Sequence, residues 1–277
     1  MLLKNFTISV CTVLLAGSLC FSAYADESRL QRIKDNEELR VAVNNDLKIL
    51  SLQDSQTGEY KGLEPTIARM IAKEIGNDIK VTFFTTTPSN RENLLESDYA
   101  DCMIGTYTAT EERKAKYDVS SPYFVTNISI MVNRDSNISS IKDLVGKKIG
   151  VIENATAAKE LVKYLISKGI IKEDSFNEET FDPNTWNNKI SFKSYETNAA
   201  LFEDMDKNEI QAFCNDRIVL QSNVDVTRKI LKIEFAPQEY GIVTLKGSDL
   251  SGFIDKLIRK WTEDGTLKKL VTENVLN

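Results

Sequence analysis

The sequence predicts an α/β fold on two observations. Short β-branched or apolar runs recur along the chain, and between them lie helical patterns with apolar positions three, four, seven and eight residues apart. No Gly/Ser-rich linker, repeat or low-complexity tract interrupts the 277 residues, so periodicity alone organises them.

From the N-terminus, Lys4 precedes an uncharged apolar stretch over residues 6–19, then Ala23-Tyr24-Ala25 and the acidic pair Asp26-Glu27. A positive start, a short apolar middle and small residues at alternate positions form an export signal cleaved after Ala25, residues 1–25 in all. The stretch falls short of the roughly 20 residues of a bilayer-spanning helix. Cys20 follows Leu19, not the small residue that lipid attachment needs.

Strand-like runs follow at 40–43, 79–84, 101–104, 128–132, 148–152, 190–192, 210–213 and 242–245. Between them, Leu63, Ile67, Met70, Ile71 and Ile75 make one helical face, and Ala158, Leu161, Val162, Leu165 and Ile166 another. Residues 172–189, polar, acidic and Asn-rich, read as a surface insertion. A third stripe, Leu250, Phe253, Ile254, Leu257, Ile258 and Trp261, has the regularity of core packing, and Gly265 separates it from a final helix.

Lys and Arg number 35 against 41 Asp and Glu, a net charge of −6 that becomes about −7 once Lys4 leaves with the leader. An acidic chain without a basic stripe is repelled by nucleic acid. Cys11 and Cys20 also leave, and the remaining Cys102 and Cys214 sit in apolar strand-like runs, as two separate buried thiols. The chain has no histidine, which excludes His-containing triads and His-ligated zinc; no metal or cofactor is expected.

The pattern becomes specific in Asp101-Cys102-Met103-Ile104-Gly105-Thr106-Tyr107-Thr108-Ala109-Thr110-Glu111-Glu112-Arg113, followed by Tyr117-Asp118-Val119-Ser120-Ser121-Pro122-Tyr123. It resembles the hallmark of periplasmic polar amino-acid-binding proteins of ABC transporters (solute-binding protein family 3). There a strand ends in a Gly-x-Thr-x-Thr-like loop, Thr-x-x-Arg follows, and a Phe-Ser-x-Pro-Tyr-like segment leads into a hinge. Leu39-Arg40-Val41-Ala42-Val43, Gly62-Leu63-Glu64, Ala212-Phe213-Cys214-Asn215-Asp216 and Glu239-Tyr240-Gly241-Ile242 extend the resemblance over the mature chain. It implies the two-lobed periplasmic-binding-protein fold of type II, two α/β lobes joined by two hinge strands with the ligand cleft between. Residues 26–123 and 240–277 would form lobe 1 and 124–239 lobe 2. It also implies a monomer in the periplasm, serving a membrane permease and its ATPase.

An amino acid's α-carboxylate needs a planar bidentate donor, supplied only by arginine and reinforced by hydroxyls and helix N-terminal amides. Arg113 is the candidate, with Thr108 and the backbone of Gly105 and Thr106 alongside. Thr156, at the start of the 158–166 helix, would present its hydroxyl and amide to the same carboxylate from the other lobe. The α-ammonium needs a carboxylate, and Asp216 matches the family's ammonium-binding aspartate. Each has a plainer alternative: a surface arginine for Arg113, and ordinary helix N-caps for Thr156 and Asp216.

Asn90-Arg91-Glu92-Asn93-Leu94-Leu95 resembles the Asn-Arg-x-x-Leu-Leu segment of the family's aspartate/glutamate-binding branch, whose arginine meets the ligand's side-chain carboxylate. Arg91 and Arg113 against Asp216 then suit a glutamate or aspartate ligand; the alternative is an exposed Arg91 paired with Glu92 or Glu96. Many members carry an aromatic after the first strand, where this chain has Asn44-Asn45-Asp46-Leu47-Lys48-Ile49-Leu50, which disfavours a cationic ligand. Ile49 and Leu50 are expected as apolar wall, Asn44 as a polar contact and Glu64 as a helix-dipole partner. An exported cyclohexadienyl (prephenate/arogenate) dehydratase on the same fold is the rival, and needs an acid in the cleft. Glu203 and Asp204 are its candidates, although a helix starting near Thr197 would bury Leu201 and leave both acids solvated.

Overall fold

Residues 28–275 are described by a computed structural model, in which the strands form two main sheets. The first has the order Lys80–Thr85, Glu38–Val43, Cys102–Ile104, Val243–Leu245, Tyr117–Val119. Its first three strands are parallel, with Val41 opposite both Phe83 and Cys102, and Val243–Leu245 runs antiparallel to both of its neighbours. The second sheet runs Asn187–Asn188, Ile190–Tyr195, Lys148–Ile152, Ala212–Asp216, Phe124–Asn133, Arg228–Ile230, with Phe235–Tyr240 also paired to Phe124–Asn133. The predicted α/β class holds, and every predicted strand run overlaps a strand.

The chain passes between the sheets twice, after Tyr117–Val119 into Phe124–Asn133 and after Phe235–Tyr240 into Val243–Leu245. Gly241 lies at the second passage, where a Cβ would stand 2.4 Å from Val119 Cγ1 and 2.9 Å from the Ser120 carbonyl oxygen. Only a residue without a side chain lets the two passages lie this close.

Each sheet has its own core. Helix Leu63–Ile75 buries Leu63, Ile67, Ile71 and Ile75 on the first sheet, and helix Asp249–Glu263 adds Leu250, Ile254, Ile258 and Trp261. Fully burying one such side chain contributes about 1.5–3 kcal/mol. Gly62 opens the former helix at φ 117°, and a Cβ there would lie 2.5 Å from the Leu50 carbonyl oxygen. On the second sheet, helix Ala157–Ser167 buries Leu161, Val162 and Leu165. Cys102 and Cys214 are free, buried and in different cores. The 172–189 segment is more than a surface insertion: Phe176, Phe181 and Trp186 pack on one another, and Phe181 reaches Phe192 of the sheet. No helix among the described residues is long and apolar enough to cross a membrane. The leader over residues 1–25 lies outside the described residues.

Candidate functional site

The carboxyl ends of the parallel strands in both sheets point at one crevice, where a switch in strand direction leaves room for a ligand. Glu38–Val43 runs out into Asn44, Cys102–Ile104 into Gly105, Lys148–Ile152 into Asn154, and Ala212–Asp216 ends in Asp216 itself. The cavity there is about 150 Å³, well below the roughly 300–1,000 Å³ of drug-sized sites. Asn44, Arg91, Thr106, Thr108, Arg113, Thr156 and Asp216 all line it. Gly105 stands behind them, near Asn44 and Thr86, and its carbonyl accepts from Arg91 at 3.2 Å.

Arg91 is buried, at 3% exposure. The alternative of an exposed arginine paired with Glu92 or Glu96 therefore fails; Glu92 accepts instead from Tyr107, and Glu96 from Tyr117. Arg91 lies over the Tyr107 ring at 4.6 Å, and Arg113 lies over the same ring at 4.3 Å. Both donate to one main-chain carbonyl just beyond strand Lys148–Ile152 of the second sheet, Asn154, at 3.4 and 2.8 Å. Arg113 also donates to the Thr108 carbonyl at 3.0 Å. Burial, then the charge of Arg113, pulls the Arg91 guanidinium down to about 9, which leaves it charged at neutral pH.

Asp216 occupies a helix N-cap position but makes no side-chain capping bond; its carboxylate accepts from the Tyr240 hydroxyl. Burial pushes it up to about 6, against the Tyr240 hydrogen bond and the charges of Arg113 and Arg91. Thr156 likewise makes no capping bond. Its hydroxyl donates to Gln238 Oε1 at 2.7 Å, and the Thr108 hydroxyl donates to the same oxygen at 2.9 Å.

Thr106 adopts φ 49°, an uncommon conformation for a β-branched residue. It is held there by Asn44 Nδ2 donating to its hydroxyl at 3.3 Å and by its own N–H donating to Glu64 at 2.9 Å. The Thr106 amide is therefore spent on Glu64. Glu64 is more than a helix-dipole partner: it is fully buried, accepts from Tyr123 at 2.6 Å, and is raised by burial to about 7 against the Tyr123, Thr106 and Arg91 contributions. The apolar wall also differs from expectation. Leu47, Ile152, Ala155 and Val219 line the cavity, whereas Leu50 is wholly buried and Ile49 packs on the first core.

Glu203 and Asp204 lie outside the cavity lining. Helix Asn198–Asp206 is capped by Thr197 and buries Leu201; Glu203 pairs with Lys207, and Asp204 takes Lys193 and Tyr195. Sequence reasoning missed Gln238, Tyr107 and the Asn154 carbonyl. The signal for Gln238 is strand alternation, which places it on the buried face with Tyr240. Asn154 acts through its main chain at φ 56°, so only its tolerance of left-handed backbone hinted at it.

Residues 39–276 match the family described as "Bacterial extracellular solute-binding proteins, family 3". A glutamine-binding protein of Geobacillus stearothermophilus is 32% identical over 164 residues, covering 58% of this chain and 63% of that one. The L-cystine-binding protein TcyJ of Escherichia coli (strain K12) is 26% identical over 273 residues, 96% of this chain and 93% of that one. The crystal structure of the ancestral amino acid-binding protein AncCDT-1, a precursor of cyclohexadienyl dehydratase, superposes with a TM-score of 0.71. That match has 25% identity and covers 89% of this chain and 99% of that one.

Proposed function

We propose how this chain works from one premise, that it belongs to the bacterial extracellular solute-binding proteins of family 3: it captures a free amino acid and delivers it to an ABC transporter permease. The relatives that carry this reading are named for binding glutamine and cystine. Export behind a leader cut after Ala25, periplasmic residence and action as a monomer belong to the same proposal. So do the lobe bounds, 26–123 with 240–277 and then 124–239, with the two chain passages as hinge.

In the cleft, Arg113 and the N-terminal amides of helix Ala157–Ser167 take the α-carboxylate, and Asp216 takes the α-ammonium. The ligand we propose is glutamate or aspartate. The observation that carries this is the charge balance of the cavity lining, the buried Arg91 and the half-buried Arg113 against the buried Asp216. A ligand with two carboxylates and one ammonium neutralises that balance. Asp46 and Glu196 also line the cavity but are exposed, where solvent and salt screen them. One observation favours a second reading, a neutral amide such as glutamine: Asn198 Oδ1 is a buried acceptor on the cavity wall with no partner among the described residues. The dehydratase reading loses its two candidate acids, because Glu203 and Asp204 stand away from the cleft.

A thermal-shift screen of the mature chain against the twenty amino acids, prephenate and arogenate tests this. Binding at a hundredfold excess over Kd stabilises by about 2.7 kcal/mol. A shift with glutamate or aspartate supports the acidic ligand, a shift with glutamine alone the amide reading, and a shift only with prephenate or arogenate, with product formed, overturns transport. In the same screen Arg91→Ala should weaken glutamate and aspartate selectively; equal losses for every ligand would refute its role in specificity.

A further inference from the structure

Gln238 sits on strand Phe235–Tyr240, where the chain is about to pass between the sheets, and is 3% exposed. Its amide is held at both ends. Nε2 donates to two main-chain carbonyls, Ala236 at 2.8 Å and Pro237 at 3.3 Å. Carbonyls only accept, so the NH₂ end must face them and Oε1 must face the threonines. Oε1 can only accept, so Thr108, on the first lobe's loop, and Thr156, opening a second-lobe helix, must both donate to it.

A hydroxyl has one proton. With that proton spent on Gln238, each threonine offers the cavity lone pairs alone. Both line the same cavity as Asp216. What they favour from a ligand is therefore a hydrogen-bond donor, and what they disfavour is a carbonyl or carboxylate oxygen. This reverses the role of Thr156 expected from sequence, where its hydroxyl was to serve the α-carboxylate.

We propose that Gln238 is a positioning residue that commits Thr108 and Thr156 to accepting, and so makes the cleft select an α-ammonium over the α-keto oxygen of a deaminated analogue. The inference rests on the amino-acid reading above and deepens it. Because one oxygen on a hinge strand holds a hydroxyl from each lobe, the selection is set when the lobes meet. A site whose polar groups are fixed in one sense rejects a ligand of the wrong sense strongly, because a buried group is then left unpaired.

The test is calorimetric titration of L-glutamate and 2-oxoglutarate into the wild type, Gln238→Met, Thr156→Ser and Thr156→Val; where the screen selects L-glutamine, the pair is L-glutamine and 2-oxoglutaramate. In Gln238→Met both hydroxyls lose their acceptor and turn to donate to a keto oxygen. The preference for the amino acid should fall about tenfold or more, the worth of one charge-assisted hydrogen bond. Thr156→Ser keeps a hydroxyl that donates to Gln238 and should hold the preference within about threefold of wild type. A merely structural role would weaken both ligands alike, leaving their ratio unchanged in Gln238→Met, and that result overturns the inference while the amino-acid reading stands. Failure of the wild type to bind any amino acid overturns both. Should Gln238→Met fail to fold, Thr156→Val, which removes one of the two accepting hydroxyls, decides: a lowered ratio supports the inference and an unchanged one overturns it.

Discussion

On the first lobe's wall, Arg91 and Arg113 lie over one ring, Tyr107, and each donates to two main-chain carbonyls. On the second lobe's wall, Asp216 is held by one phenol, Tyr240, which comes from a strand leading into the crossover. The cations are placed by several independent contacts within and across the cleft, so losing one contact leaves them where they are. The anion is placed by a single side-chain hydrogen bond among the described residues, so its position and ionisation follow Tyr240. Positioning by redundancy resists perturbation, whereas positioning by one bond makes Asp216 the responsive member of the site.

The sharpest way to break this contrast is to delete each charge. Arg113→Ala and Asp216→Ala should each cost binding about 3–5 kcal/mol, because the partner charge stays buried and unpaired. Calorimetry reads the loss; a melting temperature close to wild type shows that the charge serves the ligand and not the fold.

A smaller effect should follow from loosening the single contact. Tyr240→Phe removes a donor to a carboxylate, about 1.5–3 kcal/mol, and lets burial raise Asp216 further above 6. An ammonium needs the ionised form, so affinity in the variant should fall most near pH 6 and recover toward pH 8. A titration series at pH 6, 7 and 8 in which the variant tracks the wild type would show that Tyr240 does not govern Asp216.

The smallest effect concerns the support behind the cationic wall. Glu64 stands near 7 in the folded chain against an ordinary 4.5, so the folded state holds a proton that the unfolded state has released. Its contribution to stability is full below about 4.5 and is lost as pH rises through 7. Asp216, raised from 3.8 to about 6, acts in the same direction in both proteins compared. Urea unfolding of ligand-free Glu64→Gln should show a flatter fall between pH 4.5 and 8, by on the order of 1–3 kcal/mol. Equal slopes would mean that Glu64 is ionised throughout.

Most of the fold was legible because its signals are periodic. The stripe from Leu250 to Trp261 and the run from Leu39 to Val43 each repeat a spacing that only one kind of element buries. Much of the candidate site was legible because charge stands out in sequence: Arg91, Arg113 and Asp216 reach one cavity. What sequence missed acts without charge or without a side chain. Gln238 works through the direction of an amide, Asn154 through a carbonyl, and Tyr107 through its ring faces, none of which a motif spells out. The Leu50 expectation failed for a similar reason, since facing core or cleft depends on how the hairpin folds over Gly62. The polar reading of 172–189 weighed its many acids and asparagines above three aromatics, which decide where the segment packs.

The chain has two tryptophans, and the fold assigns one to each half. Trp261 is buried in the first core, Trp186 packs with the aromatics on the second, and neither lines the cavity. The molecule therefore carries a separate built-in optical probe for each lobe. Replacing either indole with phenylalanine leaves a spectrum that reports the melting of the other lobe alone. A ligand seated in the cleft touches neither, so a change in emission on its addition records rearrangement of the protein and not quenching by contact.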